Sequence, residues 1–460
     1  MPSLLSDAVR PIAPDDPFGQ HAAAATLERA ARDLPAPGCL ALYGGWGAGK
    51  TTLLRDLYQR WDEDRRVWFD PWLYERREDV ITPLLTAIVE ATTEHHRGEK
   101  AHEIKKKAGA LLKTLATLTA QAAWGRMVGG DWSKALEKLD PVKDGREALA
   151  KLGQVHDAVR HARDRFRELV EVVCPRPTDR LLICLDDLDR CLPASVVQLI
   201  EAVKLLLCGA DSYTYAEDGQ PEVQCRAVFV FALDRQIVGE AIRHQYPKAS
   251  LYTGENYLEK IFDLSLEAPP INEVQIKTFV QRHLDEAERE RLTRAFKGGA
   301  DAPAVDGLAN ILATGTFANP RVTVRIINRI KLLLADDERI DQLAVVLQSG
   351  TIAKRFLAWI AGVERFRTFR HFLRRATSEE LKLLGEHCRS RMDGSFGTAP
   401  REATAEILEF IHTPGFLSFA KLVAGDTFDF AAQRATLEWK PGEPIQTVTQ
   451  MDDLLRRAGL

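Results

Sequence analysis

The sequence predicts an α/β protein on a doubly wound, mostly parallel sheet, with a large helical insertion and an all-helical C-terminal region. Three observations carry that expectation. Short apolar runs alternate with helical patterns up to Pro270, which calls for parallel strands joined by crossovers. One run opens directly into a glycine-rich turn and a helix. Another ends in two adjacent aspartates, and beyond Pro270 only helical periodicity remains.

Composition sets the frame. At 460 residues there is room for two or three folding units. Apolar residues at 45% and charged residues at 28% describe an ordinary globular chain, not a disordered one. With 62 basic against 66 acidic side chains the net charge is −4, so charge alone predicts no polyanionic partner. The seven cysteines form no C-x-x-C pair and no Cys/His cluster, so a reduced, cytoplasmic setting is expected rather than disulfides or structural zinc. The N-terminus lacks a charged segment followed by an apolar one, and export is not expected.

Taken in order, residues 1–37 read as a lead-in. Pro11, Pro14 and Pro17 break its start, Ala22 to Asp33 is helical in pattern, and Pro35, Pro37 and Gly38 end that helix. The apolar run Leu40–Tyr43 then feeds Gly44, Gly45, Trp46, Gly47, Ala48 and Gly49, followed by Lys50, Thr51 and Thr52. This is G-x-x-x-x-G-K-[ST] between strand and helix, the context in which successive N–H groups cradle phosphate. Lys50 would reach the β- and γ-phosphates and Thr51 would hold Mg²⁺. The following helix should reach about Trp61, and a second strand should span Arg66–Asp70 before Pro71, Trp72 and Tyr74.

From Ile81 to about Val173 the pattern is helical and too long for a simple crossover, so it reads as an insertion. Its most apolar stretch, Ala108–Gly130, is interrupted by Lys113, Gln121 and Arg126. A central lysine costs roughly 2.5–3.5 kcal/mol on insertion scales, so an amphipathic helix is expected there and no membrane span.

The next strand, Arg180–Leu185, ends in Asp186 and Asp187. A continuous apolar strand terminated by acids is the second half of a nucleotide site. Asp186 would hold Mg²⁺, directly or through water, and Asp187 would activate the attacking water. A helix is expected over Pro193–Leu207 and a polar loop over Gly209–Gln224. Strand Ala227–Leu233 follows, tipped by Asp234 and Arg235. Asp234 is placed either to sense the γ-phosphate or to cap the helix that follows, and both roles can hold together. A last strand is expected over Ile261–Leu266, before Pro269 and Pro270. The ligand should lie at the carboxyl ends of these strands.

The boundaries that follow are a core over 38–270, a helical lid over 271–335 and a C-terminal helical region over 336–460, with loops near Lys297–Val305 and Asp393–Arg401. After Asn319 and Pro320, a helix carries Arg321, Arg325 and Arg329 four residues apart. That spacing suits a solvated face, or an arginine that reaches the γ-phosphate from the lid or a neighbouring subunit. Arg367, Arg370, His371, Arg374 and Arg375 make a second basic face among Phe366, Phe369 and Phe372. It reads as a solvated face over a core stripe, with nucleic-acid contact as the alternative.

Together these motifs resemble the KAP family of P-loop NTPases. The resemblance lies in GGWGAGKT, in FDPW at Phe69–Trp72, in LDDLDRC at Leu185–Cys191, in FVFALDR at Phe229–Arg235, in YLEKIFDLSL at Tyr257–Leu266, and in NPR with Asn328. It implies an ATPase of the additional-strand type, with Lys50 and Thr51 on phosphate and metal and Asp186 and Asp187 as the acidic pair. Asp234 or Arg235 would sense the γ-phosphate, and Arg321 or Arg325 would come from the lid. It also implies a molecular switch using ATP and Mg²⁺ in bacterial anti-phage defence, homo-oligomeric or acting with proteins of the same operon. The alternatives are an ATP-bound scaffold without hydrolysis and an ATPase stimulated by nucleic acid. Family members often insert transmembrane helices where this chain has residues 81–173, whose composition is too polar for that. Asp70-Pro71 stands where the family often has Asn-Ala.

Overall fold

The computed structural model describes residues 5, 12, 16, 18–74, 81–120, 160–204, 208, 213–215, 221–223, 225–246, 254–296, 304–313, 319–347, 350–392, 404–413, 415–434, 440 and 443–457. Several expectations therefore lie outside the described residues: Pro11, Pro14 and Pro17, the insertion over 121–159, the loop over 297–303, and the whole of Asp393–Arg401. The chain divides into two compact units, one of Val9–Pro14 and Gln20–Pro269, the other of Met1–Ala8, Asp15–Gly19 and Pro270–Leu460.

The first unit is built on a five-stranded sheet. Its strands are β1 (Gly38–Tyr43), β2 (Arg66–Phe69), β3 (Leu181–Leu185), β6 (Ala227–Leu233) and β7 (Leu264–Glu267), in the order β2-β3-β6-β1-β7. Every pairing is parallel, with Leu40 opposite Val230 and Ile183 opposite Phe229. Two short antiparallel strands, β4 (Tyr213–Tyr215) and β5 (Pro221–Val223), form a separate hairpin where a plain loop was expected.

Strand periodicity sorts the sheet's side chains onto two faces. Ala41, Tyr43, Ile183, Leu185, Phe229 and Phe231 pack under the helices Ile81–Glu94, 160–173, Pro193–Ala202 and Arg235–Gln245. Leu40, Leu42, Leu182, Cys184, Val228 and Val230 pack under Gln20–Asp33 and Lys50–Arg60. Burial on both faces explains why β1, β3 and β6 read as unbroken apolar runs.

The last strand is displaced from its expected place. Ile261 closes a helix, Gly254–Ile261, and pairing begins only at Leu264. The apolar run Ile261-Phe262 belongs to the helix side of the core, where both are buried, so periodicity misplaced the boundary by three residues. In the insertion, the described segments 81–120 and 160–173 are helical with a short break before Gly98. Among the described residues no single helix is long and apolar enough to cross a membrane.

The second unit is helical and has one continuous core, from Ile271 to Leu455. Phe369 sits at its centre, with Phe410, Phe416 and Phe430 within 5.6 Å between ring centroids. Such pairs add about 0.5–1.5 kcal/mol each beyond burial. Arg367, His371 and Arg375 stay exposed over the buried Phe366, Phe369 and Phe372, as expected, but several arginines of the two basic faces also make ion pairs. Arg370 and Arg374 both reach the buried Asp452 at 2.6 Å, and Arg375 meets Glu406. Arg329 and Arg367 meet Glu364 at 2.9 and 2.7 Å, while Arg325 lies 3.5 Å from it. These acids are remote in sequence from most of their partners, so helical spacing alone could not reveal the pairing.

Candidate functional site

The carboxyl ends of β3, β6 and β1 lie side by side, and each carries part of the predicted constellation. Beyond β1 the chain turns through Gly44–Gly49 into the helix Lys50–Arg60. Gly47 and Gly49 adopt left-handed φ values of 81° and 92°, which a residue with a Cβ takes only with strain. At Gly49 a Cβ would also stand 2.5 Å from Gln20 Nε2. This backbone curl places the loop at the first turn of a helix, where unpaired N–H groups attract anions.

Lys50 is buried and folds back across the loop. Its Nζ donates to the carbonyls of Gly44 and Gly45 at 2.9 and 3.3 Å, and pairs with Asp189 at 3.3 Å. Thr51 donates its hydroxyl to Asp186 Oδ1 at 3.2 Å, joining the phosphate-loop helix to the tip of β3. Asp186 is buried, and its backbone N–H bonds to Phe69 O at the end of β2. Burial first, and the neighbouring Asp187 second, raise its pKa to about 6.

Asp187 sits beyond the strand end in a left-handed conformation, φ 56°. Its carboxylate pairs with Arg190 at 3.0 Å, and the Arg190 guanidinium stands 5.3 Å from the Trp72 ring. Asp70 accepts from Trp72 N at 3.0 Å and so shapes the turn. Burial, then the Asp187 charge, raise Asp70's pKa. The FDPW and LDDLDRC segments thus meet through Trp72, Arg190 and Asp187.

At the tip of β6, Asp234 Oδ1 accepts from Gln236 N and Ile237 N, capping the helix Arg235–Gln245. Its other oxygen lies 4.0 Å from where a Cβ on Gly45 would stand. The cap is therefore realised beside the phosphate loop. Arg235 lies over Tyr43 at 5.5 Å and reaches Glu259 at 3.5 Å. Trp46 is half exposed within the loop, and Thr52 follows Thr51 into the helix. Arg321 and Arg325 belong to the other unit, on a helix capped by Asn319.

Asp189 was not singled out from the sequence. Its side chain is as buried as that of Lys50, its partner in the ion pair. The signal was available, because LDDLD places a third acid two residues after Asp187, but the pairing needs the fold.

The donors suit Mg²⁺, a hard cation bound through one or two carboxylates together with phosphates. Thr51 Oγ1 and Asp186 Oδ1 offer two adjacent oxygens, and a buried carboxylate with a raised pKa gains most from a nearby cation. Among the described residues no cluster of three or more His, Cys, Asp or Glu could hold a metal ion. A Mg²⁺ ion held by these two oxygens would complete its shell with nucleotide oxygens and water.

Sheet order and loop geometry define the class: a P-loop nucleotide-binding domain, with β6 inserted between the phosphate-loop strand and the acid-tipped strand. Residues 24–335 match the KAP family P-loop domain, and the chain belongs to that family. No curated protein matches. Among solved structures, the chain is similar to the Aeropyrum pernix ORC2 protein in its ADPNP–ADP complexes. Identity is 12% and the TM-score 0.33, over 96% of this chain and 93% of that one. It is also similar to the ADP form of the same protein, at 12% identity and TM-score 0.34, over 98% and 87%. Likeness at this level carries no argument about function.

Proposed function

We propose that the protein is a Mg²⁺-dependent ATPase acting as a conformational switch. One observation carries the reading: Thr51 and Asp186 meet at 3.2 Å beside Lys50, so metal-binding oxygens and the phosphate-binding ammonium share one site. Lys50 grips the β- and γ-phosphates, Thr51 and Asp186 take Mg²⁺, and Asp187 orients and deprotonates the attacking water. Asp234 or Arg235 senses the γ-phosphate, and Arg321 or Arg325 completes the charge balance from the lid or from a second subunit. Family resemblance supports a cytoplasmic setting, an oligomeric assembly or partners from the same operon, and a role in bacterial anti-phage defence.

The test is phosphate release from ATP. Lys50→Ala and Asp187→Asn should each abolish it. Turnover lost in Lys50→Ala but unchanged in Asp187→Asn would remove Asp187 from the base role. A second reading, an ATP-bound scaffold that does not hydrolyse, is favoured by the Arg190 contact that already occupies the Asp187 carboxylate. ATP binding without turnover in any oligomeric state would support it.

A further inference from the structure

A cavity of about 400 Å³ opens at the amino-terminal edge of the parallel sheet, the edge opposite the phosphate loop. Four arginines, Arg32, Arg65, Arg176 and Arg180, and two aspartates, Asp62 and Asp179, line it together with Trp61 and Thr178. They lie in the segments that lead into β1, β2 and β3. Its size falls in the range that holds small molecules.

The charges in this wall are not all balanced. Arg65 is committed, bonded to Asp179 and paired with Asp62 and Asp64 at 2.9 and 3.2 Å. Arg32 pairs with Glu28 at 3.0 Å and lies 4.3 Å over the Trp61 ring. Arg180 donates to the Arg32 carbonyl, at 2.9 Å. Among the described residues, neither Arg176 nor Arg180 has a carboxylate at ion-pair distance from its guanidinium. Arg226, which leads into β6 and donates to Cys174 O, brings a further positive charge towards Arg180. Burial first and this repulsion second draw Arg180's pKa below its ordinary value, although the group stays charged. Asp179 and Asp33 act on Arg176 and Arg180 through space but not at ion-pair distance, so both guanidinium forks in this concave wall remain open to a bound anion. These planar forks match phosphate oxygens.

We propose that this cavity is a second anion site, which takes a small phosphate-bearing ligand between Arg176 and Arg180. It is separate from the phosphate loop. β3 leads from Arg180 to Asp186 across five residues, about 16 Å of strand. The helix Lys50–Arg60 likewise leads from Thr51 to Trp61. The two sites thus lie at opposite ends of the same elements.

Isothermal titration of the full chain with inorganic pyrophosphate tests this. Lys50→Ala is used as the background, so that the phosphate-loop lysine contributes nothing to the signal. Pyrophosphate should still bind the Lys50→Ala protein, and adding Arg176→Glu or Arg180→Gln should weaken that binding at least tenfold. Arg176 is exposed and its side chain makes no ion pair, so Arg176→Glu should leave the melting temperature unchanged and decides the matter if Arg180→Gln unfolds. No binding to Lys50→Ala, or equal affinity in both added variants, overturns the proposal. Either failure leaves the ATPase reading standing, because that reading is measured by turnover.

Discussion

Asp189→Asn should weaken the nucleotide-free fold and strengthen nucleotide binding. Lys50 and Asp189 are 3.3 Å apart with side chains only 7% and 6% exposed, so water screens them little. At an effective dielectric of about 20 their gross attraction is about 5 kcal/mol. Breaking a buried pair by removing one partner typically costs about 3–5 kcal/mol, since the remaining charge stays desolvated. The two loop carbonyls still hold Lys50 in the variant, so the lower end of that range is expected. The same arithmetic reverses when nucleotide binds. In the unaltered protein the phosphates compete with Asp189 for the Lys50 ammonium; in Asp189→Asn that competition is gone. An affinity gain of about tenfold corresponds to about 1.4 kcal/mol, a modest share of the pair. Urea denaturation without nucleotide and titration calorimetry with a non-hydrolysable ATP analogue measure the two effects. Unchanged stability together with weaker nucleotide binding would refute the competition and make Asp189 a direct contributor to the bound state.

Proton and Mg²⁺ should compete for Asp186. With its pKa near 6, Mg²⁺-dependent nucleotide affinity should fall about tenfold per pH unit below that value, read by titration from pH 5 to 8. The folded state holds the proton more tightly than the unfolded state, so the sign for stability is opposite to the usual carboxylate. The metal-free protein keeps this contribution below about pH 4 and loses it as pH rises through about 6. Asp452→Asn should destabilise the second unit by about 3 kcal/mol, because Arg370 and Arg374 both lose a buried partner. Chemical denaturation measures it.

Local patterns made much of the fold legible. The phosphate loop is contiguous, and its glycines, lysine and threonine can be read without knowing what surrounds them. The strands were legible because burial on both faces leaves continuous apolar runs, which end visibly at polar tips. The displaced start of β7 shows the limit: Ile261 and Phe262 are equally apolar whether they end a helix or begin a strand, and only the packing of Gly254–Ile261 against the sheet distinguishes the two. The hairpin at Tyr213–Val223 was equally hidden, since two three-residue strands carry almost no periodic signal.

The sequence by itself determined the class of chemistry, because a phosphate cradle and an acid-tipped strand are each written in consecutive residues. Tertiary structure alone decided what those residues touch. Strand order brings Asp186 onto Thr51 and Asp189 onto Lys50 across more than a hundred residues of chain. It also paired several arginines of two cationic faces with acids distant in sequence, and set Arg176 and Arg180 beyond ion-pair distance of any described carboxylate at the far edge of the sheet. Charge balance is a property of neighbours in space, and neighbours in space are set by the packing of whole elements.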